Sequence, residues 1–400
     1  MKKFNETKRR LIVNALAMSA LALGMQGALA QQTPGVTDKE IRLGTWMPLT
    51  GPIAVYGVPL RAGIESYLKM INDRGGIKGR KFSLIVEDNA YNAQRTVSAA
   101  RKLVTRDDVF AIAVPFGTAQ SAAAFDYLFG EAKIPMINAY GGAHDWYSPV
   151  KENLFGVQAL YESQARTLGR WAVKDGHKNI VVVHSTGASW ENVANGVPPG
   201  VKSAAPDMKP ELFVTKFGST DYGPIALELI KKKPDALILI LAQGELIAAS
   251  KELRQQGYKG TIYSYSPAVI NSTIEVGGPS VEGLKSASYI VPVNTDSPAV
   301  KEYRDALAKY APSEKPDYVS MMAFGQTKIL VEAISRIDGP LTRQALVKSM
   351  ESIRSYDTGI YPPVTYGPDR HLGGTIIQRV VVQGGKWVSV GGPIESEKDW

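Results

Sequence analysis

The 400-residue chain has four histidines and no cysteine, and none of its potential catalytic groups stands in a context that would make it reactive. His144, His177, His184 and His371 are too scattered to form the HExxH spacing, in which imidazoles one helical turn apart hold a metal. Ser189, in Gly187-Ala188-Ser189-Trp190, lacks the second glycine of a nucleophile elbow. Gly75-Gly76-Ile77-Lys78-Gly79 is glycine-rich but is neither GxGxxG nor a P-loop, and its place after a helical segment suits a C-cap and a turn into a strand. Thiol catalysis and disulfide bonding are both ruled out by the missing cysteine. These absences lead us to expect a protein that is not an enzyme, with no cofactor and no metal.

The elements that must position any site read as alternating strands and helices, which predicts βαβ units and parallel sheets. A first set comprises strands 41–49, 82–87, 109–115 and 134–139 with helices 59–72, 93–104 and 121–132. A second has helices 162–174, 190–203, 222–232 and 246–256 with strands 179–184, 211–216, 236–241 and 261–265. The expected fold class is α/β, with two doubly wound parallel-sheet lobes. After Gly283 the pattern becomes a strand at 286–291 and helices at 298–310, 318–337 and 342–352, which are expected to return to the first lobe. Two β segments, 375–383 and 386–390, join at Gly384-Gly385, a hairpin signal.

Charge excludes one class of partner. Lys2, Lys3, Lys8, Arg9 and Arg10 precede an apolar stretch from Leu11 to Leu23, and Ala28-Leu29-Ala30 follows. This is the order of a signal peptide, so residues 1–30 are expected to be removed and the mature chain to begin at Gln31 outside the cytoplasm, in the periplasm. The formal charge of +8 falls to +4 without that segment, too little for a nucleic-acid binder. The run Lys231-Lys232-Lys233 lies where a helix should end and complements its dipole. Length and a 44% hydrophobic fraction suit two cores.

Ile41 to Gly57, with its Pro48-Leu49-Thr50-Gly51-Pro52 turn, Ile71 to Arg80, Val86-Glu87-Asp88-Asn89, Ala132 to Ile137, Arg254 to Tyr258 and Val281-Glu282-Gly283-Leu284 follow one another in an order that resembles the periplasmic branched-chain amino-acid binding protein family. The first of these segments looks like that family's opening strand and turn. The resemblance implies a type I periplasmic binding fold with two lobes joined by a three-strand hinge. It places lobe I at 31–157 plus about 292–362, and lobe II at about 158–291 plus 363–400. It further implies a monomeric receptor that captures a small-molecule ligand by lobe closure and delivers it to an inner-membrane ABC permease and its ATPase.

Doubly wound sheets bind ligands beyond the carboxyl ends of their strands. The candidate loops are therefore 49–57, 115–120 and 139–146 in one lobe and 185–190, 242–245 and 265–269 in the other. The resemblance assigns Phe116, Gly117 and Thr118 to a ligand carboxylate at a helix N-terminus, with Thr118 equally a candidate N-cap. It assigns Tyr140, Gly141, Gly142, Ala143 and His144 to a second segment facing that carboxylate, the glycines allowing close backbone approach. Related amino-acid binders place a glutamate in the loop after the strand at 261–265, where it pairs with an ammonium. Here that loop reads Ser264-Tyr265-Ser266-Pro267-Ala268, without an acid. Ala242 and Gln243 line the neighbouring loop, and Glu245 is either a substitute ammonium partner or a dipole-complementing residue at a helix start. Tyr56, Phe116, Tyr140, Trp190, Tyr265 and Tyr318 form the expected aromatic enclosure. The expected ligand is a small carboxylate with an aromatic or apolar body; a branched-chain amino acid or small amide, a sensor role and an exported hydrolase are the alternatives.

Overall fold

Two parallel sheets with the same strand order organise the chain in the computed structural model, which describes residues 33–395. The expected signal segment, 1–30, lies outside the described residues. The first sheet contains β1 (Glu40–Met47), β2 (Lys81–Asp88), β3 (Ala111–Ala113), β4 (Met136–Ile137) and β5 (Leu154–Phe155), in the order β2-β1-β3-β4-β5. The second contains β6 (Ile180–Ser185), β7 (Glu211–Thr215), β8 (Ala236–Ile240), β9 (Thr261–Ser264) and β10 (Lys285–Ser288), in the matching order β7-β6-β8-β9-β10. It is extended by antiparallel β11 (Ile376–Gln383) and β12 (Lys386–Ser389), while β13 (Ile394–Glu395) pairs with β11. β6 and β8 are buried along their whole length. Their continuous apolar runs fit strands covered by helices on both faces. The β11–β12 hairpin turns at Gly384 and Gly385, whose φ values of 57° and 71° are costly for residues bearing a Cβ.

Three departures from the sequence expectation have local causes. The helix expected at 190–203 is two, Ala188–Ala194 and Val197–Ala204. Pro198 and Pro199 have no N–H to donate and fit only in a first helical turn. The helix expected at 121–132 is a five-residue helix, Thr118–Ala122, followed by a π-helical stretch, Asp126–Glu131. The strand expected at 134–139 is reduced to β4, because Asn138 turns out of the strand with φ 56°.

The chain passes between the lobes three times. It leaves the first sheet after β5 and enters helix Tyr161–Lys174 of the second lobe. After β10 it returns at Val291, whose N–H donates to the Ile360 carbonyl at 3.1 Å. Helices Pro298–Tyr310 and Tyr318–Ser335 then pack on helix Ala54–Asp73. The segment after helix Arg343–Ser352 stays with the first lobe: the His371 ring stacks 3.9 Å from Phe155, and Gly156 bridges to Leu372. We therefore place the final crossing at 373–375, later than the expected boundary at 363.

Candidate functional site

Because each strand of a parallel sheet ends on the same edge, the loops after β1, β3 and β4 gather at one rim of the first lobe. There Phe116 stacks on Tyr140 with ring centroids 4.7 Å apart and 13° between planes, and Tyr56 stacks on Phe116 at 5.8 Å. Tyr91 closes the group 5.9 Å from Phe116. The Tyr56 hydroxyl crosses to the second lobe and donates to the Pro267 carbonyl at 3.2 Å. On that side the Tyr265 ring meets Tyr161 at 5.7 Å and Trp190 at 6.4 Å, both edge-on, and Trp190 stacks on Phe217 at 5.7 Å. Tyr318 sits behind this group, buried edge-on against Tyr289 at 5.9 Å, with Ser288 donating to its hydroxyl at 3.4 Å.

The buried polar atoms without partners in this setting include one hydroxyl from each lobe. The hydroxyls of Tyr140, from the first lobe, and Ser266, from the second, are buried and make no hydrogen bond. An unsatisfied buried hydroxyl costs roughly 1–3 kcal/mol, so such groups usually have a task. Burial drives the Tyr140 and Tyr265 hydroxyls well above the usual tyrosine pKa, so both are neutral donors. Tyr161 is likewise raised by burial.

A cavity of about 420 Å³ opens beside these rings. Thr118, Gly142, Ala143, His144 and Asp145 line it from the first lobe; Tyr161, Glu162, Ser189 and Asn192 line it from the second. Gly117, at φ 109°, is the N-cap residue of the short helix, so Thr118 is its first helical residue and is not a cap. Five residues build only a small dipole, which leaves the Thr118 hydroxyl as the more useful group.

The glycines answer to packing. A Cβ on Gly141 would lie 2.5 Å from the Trp146 ring, and one on Gly142 would lie 2.9 Å from Gln158 Nε2. Gly142 also accepts a bond from the Tyr161 N–H at 2.8 Å, tying this loop to the first crossing. Glu245 is 6% exposed and fully engaged inside its own lobe. It accepts from Ser185 Oγ at 2.7 Å, Gly218 N–H at 2.6 Å and Ala242 N–H at 3.2 Å. Gln243 donates to Ser272 at 2.8 Å, and His144 is exposed at the cavity rim.

Tyr161, Tyr91 and Phe217 join the aromatic group without having been picked out from the sequence. Tyr161 carried the one readable signal, an aromatic at the first position of a helix that directly follows a crossing. Among the described residues no group of three or more His, Asp or Glu could hold a metal ion, and no helix is long and apolar enough to cross a membrane.

Two α/β lobes with their strand ends facing a common cleft define a solute-binding architecture. Residues 40–386 match the Periplasmic binding protein family, and the chain belongs to it. Among its relatives is the Leu/Ile/Val-binding protein homolog 3 of Brucella melitensis, 24% identical over 327 residues that cover 80% of this chain and 86% of that one. A branched chain amino acid ABC transporter structure from Thermus thermophilus with bound valine superposes with a TM-score of 0.82 at 18% identity, covering 90% of this chain and 97% of that one. A fatty acid ABC transporter substrate-binding protein from Thermomonospora curvata gives 0.79 at 24%, covering 92% and 95%. These structures share the fold.

Proposed function

We propose that the chain is the extracytoplasmic receptor of an ABC importer of the branched-chain amino-acid type. It works as a monomer in the periplasm after loss of residues 1–30 and passes its solute to an inner-membrane permease driven by a cytoplasmic ATPase. The observation that carries this reading is the pair of unpartnered hydroxyls, Tyr140 Oη and Ser266 Oγ, contributed by opposite lobes to one aromatic enclosure. A solute with a polar head and an apolar body satisfies the hydroxyls and covers the rings at the same time. Hinge closure brings the two halves of that enclosure together, and no covalent chemistry is needed.

The relatives' names favour leucine, isoleucine or valine over the aromatic carboxylate suggested by the rings alone. An α-ammonium needs an anionic partner, and the loop 264–268 offers none while Glu245 is already held by three donors within its own lobe. Asp145, exposed on the cavity wall, is the carboxylate that supplies it. The test is a thermal-shift series with the mature protein. A ligand at 100 times its Kd adds about 2.7 kcal/mol of stability. Stabilisation by leucine or valine supports the proposal; stabilisation by benzoate-like acids with the amino acids inert supports the aromatic-acid reading; release of product from an ester or amide analogue overturns a pure binding role.

A further inference from the structure

The interlobe cavity does not stop at the amino-acid-sized space. A second cavity of about 500 Å³ lies against it, and His144 and Glu162 line both. One helix supplies the shared wall: Tyr161 and Glu162 face the first cavity, while Glu162, Ser163 and Arg166 face the second. The opposite wall is the segment Asp369–Leu372, which precedes the last crossing. The second cavity is thus framed by two of the chain's interlobe connections.

The chemistry of the two spaces differs. The first is lined by one tyrosine ring, Tyr161, with neutral polar groups and the carboxylates Asp145 and Glu162, and by no lysine or arginine. The second carries charges of both signs, Glu162 paired with Arg166, together with Asp369 and Arg370, and the hydroxyl-bearing Ser148 and Ser163. Tyr147, also on its wall, has a buried hydroxyl without a hydrogen-bond partner. Each volume falls within the roughly 300–1,000 Å³ of small-molecule sites, and a free amino acid has no groups left for the second.

We infer that the second cavity is a subsite for the polar extension of a longer solute, and that the preferred ligand is of dipeptide size: an apolar residue against the Tyr161 ring, joined by an amide to a zwitterionic or polar remainder between Glu162 and Arg370. This rests on the proposed solute-binding role and deepens it. A wall bearing both signs of charge matches a tail whose own charges cancel, since an unbalanced charge there would meet an equal number of repulsive neighbours.

The experiment is calorimetric titration of the mature protein with leucine, leucinamide, Leu-Gly and Gly-Leu, repeated on Arg370→Ala and on Asp369→Asn/Arg370→Gln. The subsite predicts that at least one dipeptide binds tenfold or more tightly than leucine, and that both variants remove that gain while leaving leucine affinity within twofold. Leucine binding with dipeptides equal or weaker overturns the subsite and leaves the proposed function standing. A dipeptide gain untouched by either variant also overturns it, since the extension then lies elsewhere. Binding of none of the four overturns the subsite together with the amino-acid reading beneath it.

Discussion

Replacing Glu245 by glutamine separates a structural carboxylate from a ligand-binding one. The native side chain receives three donors on two oxygens: Ser185 and Ala242 on one, the Gly218 amide on the other. A glutamine keeps one oxygen, so its NH2 must face at least one donor. Orientated to keep Ser185 and Ala242, it sets an N–H against the Gly218 N–H at a 2.6 Å position. One charge-assisted bond is lost, worth about 1.5–3 kcal/mol, and the Gly218 N–H is left without its acceptor. The loop it anchors carries Phe217, which stacks on Trp190, so the damage propagates to the aromatic wall of the second lobe. We expect Glu245→Gln to lower stability by about 2–3 kcal/mol, read as a fall in urea midpoint at unchanged slope, with ligand affinity reduced severalfold. A variant as stable as the parent that has lost more than a hundredfold in amino-acid affinity refutes the reasoning, because Glu245 then serves the ligand ammonium.

Tyr56→Phe removes the interlobe bond to the Pro267 carbonyl and the contact of the same hydroxyl with the Gln243 backbone. A neutral bond contributes about 0.5–1.5 kcal/mol, so ligand Kd should rise roughly two- to tenfold by calorimetry with little change in thermal midpoint. Asp235 accepts from the Lys178 and Asn179 amides at 2.8 and 3.0 Å, and these bonds lower its pKa below the usual 3.8. A depressed folded pKa contributes stability above the unfolded value and loses it as pH falls through the folded one. The thermal midpoint of Asp235→Ala should therefore lie below the parent's at pH 7, and the gap should close in acid below about pH 3.8.

The loops that carry the site were legible because strand order and apolar runs such as Ile180 to Val183 leave few places for a doubly wound sheet to put its ligand. Tyr56, Phe116 and Tyr140 pack on one another while Tyr265 meets Tyr161 and Trp190, and each of the four stands at the end of a strand or the start of the following helix. Thr118, Gly141 and Glu245 were harder. An acidic residue at a helix start reads the same whether it faces solvent, a ligand or Ser185, since the partner lies 60 positions away. A glycine beside a cleft reads the same whether it clears room for a ligand or, as Gly141 does, for a tryptophan five residues on.

Periodicity and composition are local quantities, and they determined the local outcome: alternating strands and helices, two lobes, no thiol chemistry, and candidate loops at the strand ends. Which side chains share an environment is settled by contacts between segments far apart in sequence. Tyr56 meets Pro267 across 211 positions. Only the packed tertiary structure could decide that Glu245 is spent within its own lobe, that Tyr161 belongs to the cleft, and that Tyr140 and Ser266 keep buried hydroxyls unused. The reason is physical: the cost or satisfaction of a buried polar group depends on the groups within about 3 Å of it, and sequence order does not specify those.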